Sequence, residues 1–146
     1  MITVAQQFVD NPLLSAALDL AAKGIPVFPC NALNKRPHTV NGLNAATTDA
    51  EQIRRWWHKW PSAMIGVPTG AKSGAWVLDV DDPALFEAAC RELGLQLPQT
   101  QRSETRKGYH LWWKWQPAHP IYNAQKNVKG WPFGSLPGAE VRGEGG

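Results

Sequence analysis

The chain has 146 residues, 43% of them hydrophobic and 18% charged, with a formal net charge of +3 and a pI near 9.0. That size and balance suit a single globular domain, burying roughly 68–70% of the surface its unfolded form exposes, and exclude a disordered or fibrous protein. The small positive excess permits contact with a polyanion without deciding for it.

Residues 1–20, MITVAQQFVDNPLLSAALDL, carry no basic leader or signal-type cleavage region, and no run of about 18 apolar residues occurs. A cytoplasmic location with no membrane contact is therefore expected. The apolar positions Leu13, Leu14, Ala17, Leu20 and Ala21 predict a first helix over 13–23, stopped by Gly24. Ile25–Phe28 reads as a short strand. Pro29–Ala46 is a long polar loop carrying the basic group Lys35-Arg36-Pro37, and loops of that length in compact domains usually carry function. Cys30 in this loop and the distant Cys90 lack C-x-x-C spacing, so they are expected to be buried free thiols.

Thr48-Asp49-Ala50-Glu51 has the form of a capping box, predicting a second helix that begins at Thr48 and closes at Pro61. Its stripe is Ile53, Trp56, Trp57 and Trp60. Ala63–Val67 and Ala75–Val80 are strand candidates joined by a glycine-rich turn, an arrangement that suggests a hairpin. Asp82, followed by Pro83, is the expected cap of a third helix whose buried stripe is Leu85, Phe86, Ala89 and Leu93, with Gly94 as its stop. Gln101–Thr105 and Tyr109–Trp115 flank Arg106-Lys107-Gly108 as an antiparallel hairpin, residues 116–138 form a proline- and glycine-rich loop, and Ala139–Arg142 is a last short strand. The predicted order, α-β-α-β-β-α-β-β-loop-β, is that of an α+β fold: a mixed or antiparallel sheet with flanking helices.

The chemistry gathers at strand ends. In Trp76-Val77-Leu78-Asp79-Val80-Asp81, the period of two puts Asp79 and Asp81 on one face. Carboxylates two apart on a strand stand on the order of 6–7 Å apart, and at an effective dielectric near 20 they repel by roughly 2.5 kcal/mol. A divalent cation or a basic side chain must compensate. Hard oxygen ligands suit Mg²⁺ or Mn²⁺; the alternative is one Asp capping a helix while the other meets an Arg. Asp82 is the better cap, which frees Asp79 and Asp81. His110 follows Lys107 and Gly108 at the start of a strand, a setting for phosphate contact or for a locally bonded turn histidine. Glu140 is a lone acid on the last strand; as a third ligand it brings three negative charges against the four of two Mg²⁺ ions. Arg142, two residues on, shares its face. Eight tryptophans serve first as core, with base stacking the second use.

These pieces in this order resemble the bifunctional primase-polymerase domain of the archaeo-eukaryotic primase superfamily, whose catalytic core is RRM-like. The resemblance runs through Gly24-Ile25-Pro26-Val27-Phe28-Pro29, Lys35-Arg36-Pro37, Trp56-Trp57, Gly66 to Gly70, Asp79-Val80-Asp81, Gly108-Tyr109-His110 and Gly138-Ala139-Glu140-Val141-Arg142-Gly143. It implies a nucleotidyltransferase, a DNA primase or polymerase of plasmid, phage or prophage replication. Asp79, Asp81 and Glu140 would be ligands of two Mg²⁺ or Mn²⁺ ions. His110 would contact the phosphates of an incoming nucleoside triphosphate, and Gly108, Lys107, Arg142, Lys35 and Arg36 would contribute to nucleotide binding. The implied partners are nucleoside triphosphates, a single-stranded or primed DNA template lying across the sheet, and a helicase domain or protein. Gly108 stands where serine is frequent, Lys107 where glycine is, and Glu140 where Asp is also common. The family continues past the position of Gly146 into a further strand, so the chain is expected to be an amino-terminal part of a longer replication protein. Two other readings use the same residues: a noncatalytic nucleic-acid-binding module, and a metal-dependent nuclease.

Overall fold

The computed structural model describes residues 11–123 and 137–146. The chain divides into two compact units, Met1–Pro68 and Thr69–Gly146, each with its own core. Three α-helices and two antiparallel sheets are present among the described residues, an α+β fold. None of the described helices is long and apolar enough to cross a membrane.

In the first unit, α1 spans Pro12–Ala22. Asn11 starts it: its Oδ1 accepts from the amides of Leu13 and Leu14, and Pro12 needs no partner for its nitrogen. Leu14, Ala17 and Ala21 are its buried positions, and Gly24 takes φ 79° just past its end. Helix α2, Ala50–Lys59, is capped by Asp49, whose Oδ1 accepts from the Glu51 amide. The cap therefore falls one residue later than the capping-box reading placed it, because Thr47 Oγ1 takes the Asp49 amide and sets the preceding turn. Ile53 and Trp57 of α2 bury against Leu14, Ala17, Ala21, Val27 and Ala63, and Trp57 Nε1 donates to the Ala63 carbonyl at 3.1 Å. Strand β1, Phe28–Cys30, pairs antiparallel with β2, Met64–Gly66. A Cβ at Gly66 would press on the Phe28 ring and the Cys30 sulfur, so this pair needs glycine there. Cys30 is buried and Cys90 half-buried, both free.

The second unit is a four-stranded antiparallel sheet of order β4-β5-β3-β6, formed by β3 Ala75–Val80, β4 Gln101–Glu104, β5 Tyr109–Lys114 and β6 Ala139–Arg142. Helix α3, Pro83–Glu92, follows β3 and is capped by Asp82, whose Oδ1 accepts from the Leu85 amide. The expected β2–β3 hairpin does not form. Gly70, at φ 100°, and Gly74, at φ 72°, let residues 70–75 close on themselves, with Gly70 and Ala75 bridged, and β3 takes β5 and β6 as its neighbours instead.

Alternation along these strands makes two unlike faces. Leu78 and Val80 of β3, Tyr109 of β5, and Ala139 and Val141 of β6 bury with Phe86 of α3, flanked by Trp76, Leu111 and Trp113. Trp76 and Trp113 stack at 4.8 Å. Of the stripe predicted for α3, Phe86 alone is buried; Leu85 and Leu93 are exposed. The opposite face carries Asp79, His110, Trp112, Glu140 and Arg142.

Candidate active site

Strand register builds the site. Asp79 on β3 pairs with His110 on β5 to one side and with Glu140 on β6 to the other, and Ser103 on β4 pairs with His110. One transverse row across the sheet thus reads Ser103, His110, Asp79, Glu140. Paired residues on neighbouring strands point the same way, with Cβ atoms about 4.5–5.5 Å apart, so three stretches of the sequence present polar groups along one line.

Two basic side chains meet the central acid. His110 Nε2 lies 3.3 Å from Asp79 Oδ1, and Arg142 Nη2 lies 3.6 Å from Asp79 Oδ2 and 2.8 Å from Glu140 Oε2. Arg142 reaches both carboxylates because it follows Glu140 by two on β6 and so shares its face. The His110 hydrogen bond, then the charges of His110 and Arg142, hold the Asp79 carboxyl below the ordinary range of aspartate, against the opposing effect of its burial. Asp79 is therefore an anion at neutral pH, poised to bind cations.

Asp81 lies differently. The ladder ends at Val80, and Asp81 sits in the bend beyond it with its side chain exposed, while the amides of Asp81 and Asp82 both donate to the Gly138 carbonyl at 3.0 and 3.1 Å. That clamp fixes the backbone between β3 and α3 beside the start of β6. Gly138 takes φ 73°, and a Cβ there would meet the Asp82 backbone.

The hairpin turn shows what Gly108 does. Its amide donates to Thr105 Oγ1 at 3.0 Å, and its carbonyl accepts from the Thr105 amide. A Cβ at Gly108 would overlap the Val80 carbonyl oxygen, so the residue permits close approach of the turn to the end of β3. The amide is already engaged, and Lys107 beside it is exposed. Lys35 and Arg36 belong to the first unit, exposed on the loop that the Cys30–Pro37 bridge closes.

The donor chemistry suits a hard divalent cation: Asp79 and Glu140 offer carboxylate oxygens to one space, and the Arg142 guanidinium already stands between them as a positive charge. Among the described residues no three acidic, histidine or cysteine side chains converge on one point in this arrangement, so a cation would have to draw in Asp81 and displace Arg142.

The family model for the bifunctional DNA primase/polymerase, N-terminal, matches residues 17–146, nearly the whole chain. The chain belongs to the bifunctional DNA primase/polymerase N-terminal family. Primase/polymerase-type nucleotidyl transfer is accordingly its general chemistry. No curated protein and no solved structure matches the chain at a significant level.

Two residues of this primase/polymerase domain that sequence reasoning passed over share the acid-bearing face. Ser103 ends the polar row, and its Oγ accepts from Trp112 Nε1 at 2.9 Å; the Trp112 ring meets His110 edge-on at 6.2 Å. The signal that could have found them is the hairpin itself: once Glu104 and Tyr109 are paired, Ser103 must face His110. Of the eight tryptophans, Trp57 is core, Trp76 and Trp113 stack beside the α3 core, and Trp131 lies outside the described residues.

Proposed function

We propose that this domain carries out template-dependent nucleotidyl transfer as a DNA primase or polymerase of plasmid, phage or prophage replication, by a two-metal mechanism. The observation that supports this most directly is the row of Glu140, Asp79 and His110 on three adjacent strands, with Arg142 between the acids. A purely structural acid would need one partner, whereas here two acids and two basic groups are arranged around a common space.

The 3′-hydroxyl of a primer or initiating nucleotide attacks the α-phosphorus of a nucleoside triphosphate; the new P–O bond forms as the bond to the bridging oxygen breaks, and pyrophosphate leaves. Two Mg²⁺ or Mn²⁺ ions, when bound, would supply charge neutralisation for the transfer. Asp79, Asp81 and Glu140 would hold them, Asp79 being ionised at neutral pH and Asp81 free to turn inward from its exposed bend. His110 would donate from Nε2 to the triphosphate, and the Arg142 guanidinium, which contacts both carboxylates, would offer a phosphate group a bidentate match. Lys107 adds positive charge for the nucleotide. Rate enhancement comes from positioning and electrostatics.

Incubation with a primed template, Mn²⁺ or Mg²⁺ and labelled nucleotides separates the readings. Primer extension is expected, and it should be lost in Asp81→Ala. His110→Ala should chiefly raise the nucleotide KM. Nicking without extension would favour the nuclease, and metal-independent binding alone would favour a noncatalytic module.

A further inference from the structure

The first unit holds a cleft of about 310 Å³ between the Asn31–His38 loop and the Trp60–Ala63 turn, a volume at the lower end of the roughly 300–1,000 Å³ of ligand sites. We propose that it is a binding site for one nucleotide of single-stranded DNA, a proposal that rests on the reading that this chain handles nucleic acid.

Three observations argue for it. The cleft is built around Trp60, on whose indole the His38 ring lies stacked, 4.6 Å between centroids and 7° from parallel, and Lys59 Nζ stands 4.7 Å from the same ring. A flat nitrogen heterocycle and a cation on one indole is the set of contacts a nucleobase and a basic residue make in single-strand binding sites. Both walls are also fixed by hydrogen bonds. Asn31 Oδ1 accepts from the amides of Leu33 and Asn34, Asn34 Oδ1 from Arg36, and the Asn31 amide donates to the Arg36 carbonyl; His38 is held by its amide on the Pro29 carbonyl. On the other side the Pro61 carbonyl accepts from Asn11 Nδ2 and the Ala63 carbonyl from Trp57 Nε1. Lys35, at φ 61°, completes a loop that is preorganised rather than slack.

Charge is the third. No acidic residue occurs between Asp19 and Asp49 or between Glu51 and Asp79, the stretches that supply both walls, whereas Lys35, Arg36 and Lys59 are exposed and make no ion pair with a described acid. Apolar Leu33, 95% exposed, lies at the rim beside these cations. An aromatic floor with cations at its edge and no anion suits a base with its flanking phosphates. In the bound state the base adds to the stack on the His38 ring, and Lys59 with the Lys35-Arg36 tip meets the phosphates.

The test is fluorescence anisotropy of a fluorescein-labelled twelve-residue oligo-dT with the full chain, in EDTA and without nucleoside triphosphate. His38→Ala and Trp60→Leu should each weaken binding about tenfold, within the 1–3 kcal/mol of a base–aromatic stack, and Lys59→Gln should flatten the salt dependence by about 0.7 in log–log slope. Because Trp60 also touches the core, Lys59→Gln and His38→Ala decide if Trp60→Leu misfolds. Wild-type affinity and salt slope in both would overturn the site, as would dTMP binding as tightly as the strand, which would make the ligand a free nucleotide. If the wild type binds the strand by this pattern yet never extends a primer, the site stands and the catalytic reading falls. If the wild type extends primers and His38→Ala keeps full template affinity, the catalytic reading stands and the site falls.

Discussion

Replacing Arg142 by Gln would expose the electrostatic tension on which the site is built. Asp79 and Glu140 are paired across β3 and β6, and Arg142 neutralises both at 3.6 and 2.8 Å. With carboxylates about 5 Å apart, the bare repulsion at an effective dielectric of 20 is about 3 kcal/mol. The side chains of Asp79 and Glu140 retain 16% and 23% of their exposure, so solvent screens part of it, and a loss of about 1–2 kcal/mol is expected. Urea denaturation in EDTA should show that loss for Arg142→Gln. Added Mn²⁺ should then raise the variant's thermal midpoint by more than it raises the wild type's, because in the wild type the ion must first displace the guanidinium. Unchanged stability in EDTA, or equal Mn²⁺ shifts in the two proteins, would refute the claim that Arg142 holds the cation's place.

Other residues carry equally specific consequences. Gly108→Ala and Gly108→Ser should each cost about 2–3 kcal/mol in urea denaturation, since any Cβ meets the Val80 carbonyl; a neutral result would mean the turn can withdraw from β3. Asp82→Ala should cost about 1 kcal/mol through the lost cap on the Leu85 amide, measurable the same way. Asp79 has a folded pKa depressed by His110 and then Arg142, so its stabilising contribution is present above the unfolded value near 4 and is lost as pH falls through the lower folded value. The stability difference between wild type and Asp79→Asn should therefore shrink below about pH 4, whereas a difference that persisted unchanged at pH 2 would contradict the pairing.

Local signals were legible where one rule acted alone. The extents of β3 and β6 follow from alternation and flanking breakers, and Asp82-Pro83 marks the start of α3. Three kinds of feature were not. The cap of α2 shifted because Thr47 Oγ1 takes the Asp49 amide, which leaves Asp49 to accept from the Glu51 amide. Pairing of β2 with β1 rather than β3 depends on tertiary neighbours, which a glycine-rich connection does not disclose. At the site, the period of two rightly put Asp79 on the face away from α3, but that rule applies only while the strand lasts, and Asp81 falls beyond the last ladder residue. Register, which brings His110 and Glu140 to either side of Asp79, required the cross-strand pairing itself. Arg142's place between the acids then followed from its spacing to Glu140.

The central claim is that Asp79 serves the transfer reaction. The most direct measurement is Mn²⁺-dependent primer extension by wild type and Asp79→Asn side by side, at a temperature well below both thermal midpoints and with matching circular dichroism showing that both are folded. The account predicts extension by the wild type and none above background by the variant. Extension by Asp79→Asn at the wild-type rate would contradict it.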